Sequence, residues 1–325
     1  MKALIESLAV MLGREPRRPA PRDISPAAQK IHEYKAATRD RDLSKHLMEE
    51  RKKKANSPQT WRRRRWATLI AVNLLFVLSY RLDIQLLEGA LTGSRFVGFH
   101  MADLNAALQV MLAFKQILIN LLIGIVTVFI LWWLLGGRTF CSWVCPYHLL
   151  SELADKLHLG LAARKLVKNH TFDRRGRTWL WLIFAVLAFV TGYTVYETIS
   201  PTGILSRALI YGPGLAVLWV LALLIFEVVY SRRAWCRYGC PIGLTYGLVG
   251  ATSPLEVEHN LDACFFDGAC RQVCLVPHVL NSTVKGRGRE PLSTTGADCT
   301  RCGRCIDVCP TGALSYKFKG MGKSK

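Results

Sequence analysis

Seven of the chain's eleven cysteines fall in its last 62 residues, and four of them read Cys299-x2-Cys302-x2-Cys305-x3-Cys309-Pro310. No other feature restricts the local fold so tightly. Three thiolates at this spacing wrap a tight loop around one [4Fe–4S] cube. The fourth, a helical turn further on and followed by proline, is aimed at a second centre. Zinc knuckles also place cysteines close together, but they do not share this whole run. The pattern implies bound iron and one-electron chemistry.

Upstream lies Cys264-x5-Cys270-x3-Cys274. Aligned on its last two cysteines, it repeats the same motif with Asp267 where the second cysteine would stand. In two-cluster ferredoxin motifs the fourth cysteine of each run crosses to the other cluster. Cys299, Cys302, Cys305 and Cys274 are therefore expected on one cluster. Cys264, Cys270 and Cys309 are expected on the other, with Asp267, water or nothing at its fourth iron. A carboxylate is a harder ligand than a thiolate, so that iron is expected to be labile and the second cluster to be [4Fe–4S] or [3Fe–4S]. The alternative role for Asp267 is to stabilise the Asp267-Gly268 turn. Arg271, Lys285, Arg287, Arg289, Arg301 and Arg304 bring positive charge to this region, which favours a reduced cluster.

A chain of 325 residues with a formal charge of +20 and a mean hydropathy of +0.20 must segregate its apolar residues. Four blocks do this: Trp66–Tyr80, Ile117–Leu135, Thr178–Tyr196 and Pro213–Tyr230. Each approaches the roughly 20 residues that a helix needs to cross a bilayer. The charge between them alternates. Residues 1–65 carry 18 basic and 8 acidic side chains, 81–115 three of each, 136–177 eight and three, and 197–212 only Glu197 and Arg207. By the positive-inside rule this predicts four transmembrane helices with both termini cytoplasmic, and it accounts for the charge without nucleic acid. Trp61, Trp66, Trp133, Trp143, Trp179, Trp181 and Trp235 fall at the same helix ends. The basic N-terminal segment is expected to be mostly disordered, with Leu4, Leu8, Ala9 and Leu12 as a possible short amphipathic helix. Glu6 breaks the apolar start, so no cleavable leader is expected.

The blocks repeat. Gly137-Arg138-Thr139-Phe140-Cys141-Ser142-Trp143-Val144-Cys145-Pro146 follows the second, and Arg233-Ala234-Trp235-Cys236-Arg237-Tyr238-Gly239-Cys240-Pro241 follows the fourth. On a helix, residues four apart share a face. Cys141 with Cys145, and Cys236 with Cys240, are thus candidates for a metal or redox thiol site. Soft thiolates would accept copper(I), zinc or iron–sulfur. Asn73, Asn120, His148 and Glu227, with Asp103, Glu197, Pro201 and Arg207, are the polar groups near the blocks. No constellation for nucleophilic or acid–base turnover of a substrate is present.

With these motifs in place the chain resembles the NapH/MauN family, the membrane ferredoxin-type proteins of periplasmic nitrate reductase and methylamine-utilisation systems. Residues 62–320 are also similar to the C-terminal half of the nitrous-oxide reductase regulator NosR. Pro277-His278-Val279-Leu280 and Glu197-x2-Ser200-Pro201 carry part of the likeness. The resemblance implies quinol oxidation, with electrons passed to a ferredoxin-type periplasmic partner and on to a terminal enzyme. Asp267 and the long basic N-terminal extension depart from the family pattern.

The expected protein is therefore an all-α polytopic inner-membrane protein of four transmembrane helices in two repeated hairpins, with a C-terminal α+β double-cluster ferredoxin-like module. The expected boundaries are 1–61 for the basic extension, 62–250 for the helical domain and 251–325 for the iron–sulfur domain. The expected function is quinol-fed electron transfer, as the quinol dehydrogenase component of a larger system. The alternatives are a copper-handling assembly reductase and a redox-sensing membrane regulator.

Overall fold

The computed structural model describes residues 2–37, 48–54, 57, 59–83, 87–96, 99–116 and 119–319. Helices α1 (Lys2–Met11) and α2 (Pro26–Ala37) open the chain. Helix α3 (Thr60–Arg81) follows, then an antiparallel meander of β1 (Leu87–Ala90), β2 (Gly93–Phe96) and β3 (Phe99–Ala102). Next come α4 (Leu104–Phe114), α5 (Ile119–Leu135), α6 (Thr139–Trp143), α7 (Pro146–Ala163), α8 (Arg175–Thr191), α9 (Val195–Ile199), α10 (Pro201–Tyr211) and α11 (Ala216–Val229). A π-helical turn, Trp235–Gly239, leads into α12 (Pro241–Gly250). The C-terminal module is a sheet of order β5-β4-β6, built from β4 (Leu255–Asn260), β5 (Leu292–Thr294) and β6 (Leu314–Phe318). Two five-residue helices, α13 (Ala269–Val273) and α14 (Arg304–Val308), pack with it.

The helical core gathers Leu104, Val128, Trp132, Phe140, Tyr147, Tyr196, Ile204, Val220, Ile242 and Tyr246. Phe140 stacks on Tyr246 at 4.7 Å between ring centroids, and Trp132 meets Phe140 edge-on at 5.4 Å. Burial of such rings contributes about 1.5–3 kcal/mol each. The module has its own core of Val257, Leu275, Val276, Leu280 and Leu314, into which Cys270, Cys274, Cys299 and Cys305 are packed.

The transmembrane expectation is overturned. Among the described residues no helix is both long and apolar enough to cross a membrane. Helix α3 has 22 residues but contains the Arg62–Arg65 run and Arg81. Helices α5 and α8 have 17 residues and α11 has 14, which at about 1.5 Å per residue falls short of the roughly 30 Å hydrocarbon core. The apolar blocks looked longer because hydropathy does not register helix ends. Gly192, left-handed at φ 67°, caps α8 inside the third block, and Gly212-Pro213-Gly214 delays the start of α11 in the fourth. Ile117 and Leu118, which begin the second block, lie outside the described residues. The multi-pass placement in the inner membrane rested on those spans and loses its support with them. The outer faces of α5, α8 and α11 do expose apolar side chains, among them Ile123, Val126, Val186, Val190, Leu218 and Leu221.

The charge reading changes with the fold. Arg65 is fully buried, and its guanidinium pairs with Glu152 and contacts His148 Nε2. Arg62 Nε stands 3.1 Å from the other Glu152 oxygen. Arg232 Nε donates to Asp155 at 2.7 Å, and Arg233 stands 3.3 Å from the same carboxylate. These arginines are internal cross-links rather than loop charges. The tryptophans are likewise joined to the C-terminal half. Trp143 Nε1 donates to the Arg301 carbonyl, Trp133 Nε1 to Thr252, and Trp61 packs edge-on against Tyr316 at 4.6 Å. The N-terminal segment, expected to be disordered, is helical over α1 and α2 and is docked, with Met11 fully buried against Leu244 and Ala297.

Candidate iron–sulfur centres

The two cysteine runs build matching cradles. In each, a left-handed glycine starts a five-residue helix: Gly268 at φ 77° before α13 and Gly303 at φ 73° before α14. Glycine reaches this conformation without the steric cost of a Cβ. A Cβ on Gly303 would also stand 2.5 Å from Trp61 Cβ, so α3 docks directly on this turn. The carboxylate of Asp307, between Cys305 and Cys309, receives the Trp61 and Arg62 amides at 3.2 and 3.0 Å. The start of α3 is thereby fastened to the cradle.

Cys274, Cys299, Cys302 and Cys305 are all buried, at 6–8% exposure. Burial, then the neighbouring Cys302 and Cys299 sulfurs, push the Cys274 thiol up. Burial, then Cys274, Cys302 and Cys299, do the same for Cys305. Thiols that repel one another's negative charge in this way share one neighbourhood. Cys264, Asp267, Cys270 and Cys309 line a second, small space with Phe265, Thr283 and Leu314. Burial first, with Cys270 and Cys309 adding, pushes the Cys264 thiol up to about 11 against a hydrogen bond from the Phe266 amide. Cys274 thus stands beside Cys299, Cys302 and Cys305, and Cys309 beside Cys264 and Cys270, while Cys270 also packs in the core that holds Cys274, Cys299 and Cys305. Asp267 does two things: Oδ2 accepts the Ala269 amide at 3.3 Å and stabilises the turn, while the side chain faces the second space.

Among the described residues no three His, Cys, Asp or Glu converge on the position of a single metal ion. An iron–sulfur cube asks for a different arrangement, because each thiolate binds its own iron. Two buried groups rich in thiols, in apolar surroundings and closed by left-handed turns, fit such a group. Binding displaces the thiol protons that burial otherwise retains.

The residues that seat the first cradle were missed from sequence. Asp298, next to Cys299, accepts Arg138 Nη1 at 2.5 Å, Arg177 Nη2 at 2.9 Å and His278 Nε2 at 2.7 Å. Burial alone would raise this carboxyl, but the Arg138 and Arg177 guanidiniums hold it far below the usual carboxylate range. Arg301, at φ 48°, donates to the carbonyls of Leu255 at 2.7 Å, Cys299 at 3.0 Å and Gly250 at 3.0 Å, and also to that of Gly136. Arg237 donates to the Leu275 carbonyl at 2.6 Å. The sequence signals were an arginine inside or just before each C-x3-C-P motif, Arg301 among the basic residues of the module, and His278 in the Pro277-His278-Val279-Leu280 segment.

The C-x3-C-P cysteines meet in the helical core. They do not lie along continuous helices as expected. Cys141 sits in α6 and Cys236 in the π-helical turn, whereas Cys145 and Cys240 are the residues before α7 and α12. Pro146 and Pro241 explain this, because proline suits the first turn of a helix and disrupts an interior. Burial pushes Cys141 up to about 12, Arg138 counteracts it, and Cys240 and Cys145 add to it. Cys145 Sγ stands 3.1 Å from Thr202 Oγ1 and Cys240 Sγ 3.8 Å from the Tyr196 hydroxyl. Of the other polar candidates, Asn73 Nδ2 donates to the Val144 carbonyl at 3.0 Å, and Glu227 accepts Ser151 Oγ at 2.6 Å and the Trp235 amide at 3.1 Å. Both are structural bonds. Asn120 lines an open groove with Gly93, Ser94, Met101, Ala102 and Ile119. Asp103, which follows Ala102 of that groove, caps α4, and both Glu197 carboxylate oxygens are buried without a hydrogen-bond partner.

This is an iron–sulfur electron-transfer protein by fold and donor set. A family described as a 4Fe-4S binding domain matches residues 118–168 and 212–254, which hold both C-x3-C-P motifs, and a second of the same description matches 297–315. The chain is 31% identical over 296 residues to the ferredoxin-type protein NapH of Escherichia coli, covering 89% of this chain and 99% of that protein. It is 36% identical to the methylamine utilization ferredoxin-type protein MauN of Paracoccus denitrificans, over 66% of this chain and 75% of that one. With MauN of Methylorubrum extorquens it shares 30% identity over 81% and 91%. No solved structure matches. The chain belongs to the NapH/MauN family of ferredoxin-type proteins.

Proposed function

We propose that the protein takes electrons from a quinol and relays them through two iron–sulfur clusters to a ferredoxin-type partner that feeds a terminal reductase or dehydrogenase. The observation that carries this is the burial of seven cysteines in the C-terminal module, Cys274 beside Cys299, Cys302 and Cys305, and Cys264, Cys270 and Cys309 lining one space with the half-buried Asp267. When bound, a [4Fe–4S] cluster gains and loses one electron at a time. Cys299, Cys302, Cys305 and Cys274 hold one. Cys264, Cys270 and Cys309 hold the other, with Asp267 at the fourth iron. Residues 251–325 form the iron–sulfur unit, residues 62–250 the donor end, and residues 1–61 an extension.

A quinol that becomes a quinone loses two electrons and two protons. The open groove beside Asn120 is the donor site in this reading, because Asp103 directly follows Ala102 of its lining and Glu197 is close enough to Asp103 to feel its charge. One proton leaves to the solvent that the open groove admits, and Glu197 accepts the other. Burial, then the negative charge of Asp103, raise its pKa to about 7, and Arg207 counteracts them. That value suits a group that must both take and release a proton near neutrality. The C-x3-C-P thiols lie in the helical core, with Cys236 also packed against the core of the module, and form a further redox site. The exposed apolar faces of α5, α8 and α11 are where lipid meets the protein, a contact that needs no spanning helix.

The test is anaerobic mixing of oxidised protein with a water-soluble quinol analogue. Bleaching of the iron–sulfur absorbance within seconds, slowed by Glu197→Gln and halved by Cys302→Ser, supports the reading. Protein that dithionite bleaches and the quinol does not would overturn it.

A further inference from the structure

The N-terminal extension is fastened to the second cysteine cradle, and the fastening centres on one lysine. Lys35, at the end of α2, points its ammonium at the loop that carries Cys264. It donates to the carbonyls of Leu261, Asp262 and Cys264 at 2.6, 2.6 and 2.7 Å. It also stands 5.1 Å from the ring centroid of Phe265 and 5.6 Å from that of Phe266. Three carbonyls and two ring faces use all that an ammonium offers. Phe266, between Cys264 and Asp267, is held at φ 58°, where a bulky residue is strained. His32, one turn earlier on α2, stacks on that same ring at 6.1 Å, and its Nε2 lies 3.0 Å from the Gly288 carbonyl. Further along, Arg289 forms a two-pronged pair with Glu6, and Ser7 Oγ accepts the Ala297 amide at 2.7 Å. Three separate points of the extension therefore grip the module.

We propose that this N-terminal segment is a strap that holds the second cluster's loop in its strained shape, and that Lys35 is the positioning residue that both shapes this loop and sets the poise of its iron. The inference rests on the reading that Cys264, Cys270 and Cys309 hold a cluster. Two consequences follow from the geometry. Without the ammonium, the Leu261–Cys264 carbonyls lose a shared donor, the left-handed turn at Phe266 relaxes, and Asp267 is no longer held against the cradle. A positive charge beside the thiolates also favours the reduced, more negative state, so its removal lowers the reduction potential of that centre alone.

The test uses the full chain, anaerobically purified, as wild type, Lys35→Met and Lys35→Arg. Three readouts are taken: amide hydrogen exchange over residues 261–266, iron loss after brief air exposure, and the potential of each centre by EPR titration. Lys35→Met is expected to speed exchange in that loop about tenfold, the scale of one lost charge-assisted hydrogen bond. It should also speed iron loss from the second centre by a similar factor and lower that centre's potential, leaving the first unchanged. Lys35→Arg, which keeps the charge, should restore the potential but not the exchange protection. A wild type with two centres and a Lys35→Met variant indistinguishable from it would overturn the role of Lys35 alone. A wild type with a single centre would overturn the reading of the second site, and this role with it.

Discussion

Asp298 is the joint on which the first cradle turns, and Asp298→Asn tests that directly. Its carboxylate receives Arg138 and Arg177 on one oxygen and His278 on the other, at 2.5, 2.9 and 2.7 Å. The side chains of both arginines and of the aspartate are 1–3% exposed. The amide keeps the shape and removes the charge. Two buried guanidiniums then face each other without a counter-ion, and one amide N–H must point at a donor. Removing one partner of a buried ion pair costs about 3–5 kcal/mol. The same change at Glu15, whose pair with Arg174 is 80% exposed on the carboxylate side, falls in the range of about 0–1 kcal/mol. The assay is the thermal midpoint of anaerobic protein, followed by circular dichroism and iron–sulfur absorbance together. Asp298→Asn should lower it by on the order of 10 °C, with absorbance lost first because the cradle loosens before the helical core. Glu15→Gln should leave it within about 2 °C. An Asp298→Asn protein that melts with the wild type and keeps its colour would refute the reasoning.

Four further outcomes are expected. Gly303→Ala meets Trp61 Cβ at 2.5 Å, whereas Gly268→Ala at nearly the same φ meets nothing within 4 Å. Urea midpoints should show the first to cost at least about 2 kcal/mol and the second about 1 kcal/mol, since only the first adds a clash to the backbone strain. Glu197 has a folded pKa of about 7 against an ordinary 4.5. The neutral acid is the favoured folded form, so the stability it contributes is whole below pH 4.5 and is lost as pH rises through 7. Glu197→Gln should therefore flatten the urea midpoint between pH 5 and 8 and stabilise the protein at pH 8 by up to about 3 kcal/mol. An unchanged pH profile would contradict this. Cys274→Ser should remove the same EPR signal as Cys299→Ser, and Cys309→Ser the same signal as Cys264→Ser. If Cys309→Ser instead removed the Cys299 signal, the exchange between runs would be wrong. Arg65→Met leaves the buried Glu152, whose carboxyl burial raises and Arg65 holds down, with the partly exposed Arg62 as its remaining arginine partner. It should cost about 3 kcal/mol, and the double change with Glu152→Leu should recover most of it.

What the sequence made legible was whatever spacing encodes. The cysteine runs, the odd Asp267 and the paired C-x3-C-P motifs all have fixed offsets; the runs are buried in the module and the C-x3-C-P cysteines pack in or against the helical core. Partners set by tertiary contact were not legible. Nothing in the neighbourhood of Asp298 announces two arginines and a histidine drawn from α8, the Gly137–Arg138 turn and the Pro277–Thr283 turn. The Arg62–Arg65 run looked like loop charge because hydropathy counts arginines without asking whether a carboxylate waits for them. In α3 it does: Glu152 lies 87 residues from Arg65 in sequence. The apolar blocks misled for a related reason, since glycine and proline end α8 and delay α11 within stretches that average as apolar. The basic extension looked disordered because its own composition cannot bury a core. Its order comes from the module it grips.

The central claim is that buried thiolates in the C-terminal module hold iron and sulfide in two electron-carrying centres. The direct measurement is iron, sulfide and zinc per chain on oxygen-free protein, with EPR during a stepwise reductive titration. Two cysteine-held centres predict at least about seven iron atoms per chain and two signals that broaden each other as both fill. Colourless protein with zinc in place of iron, or one isolated signal that accounts for all the iron, would contradict it.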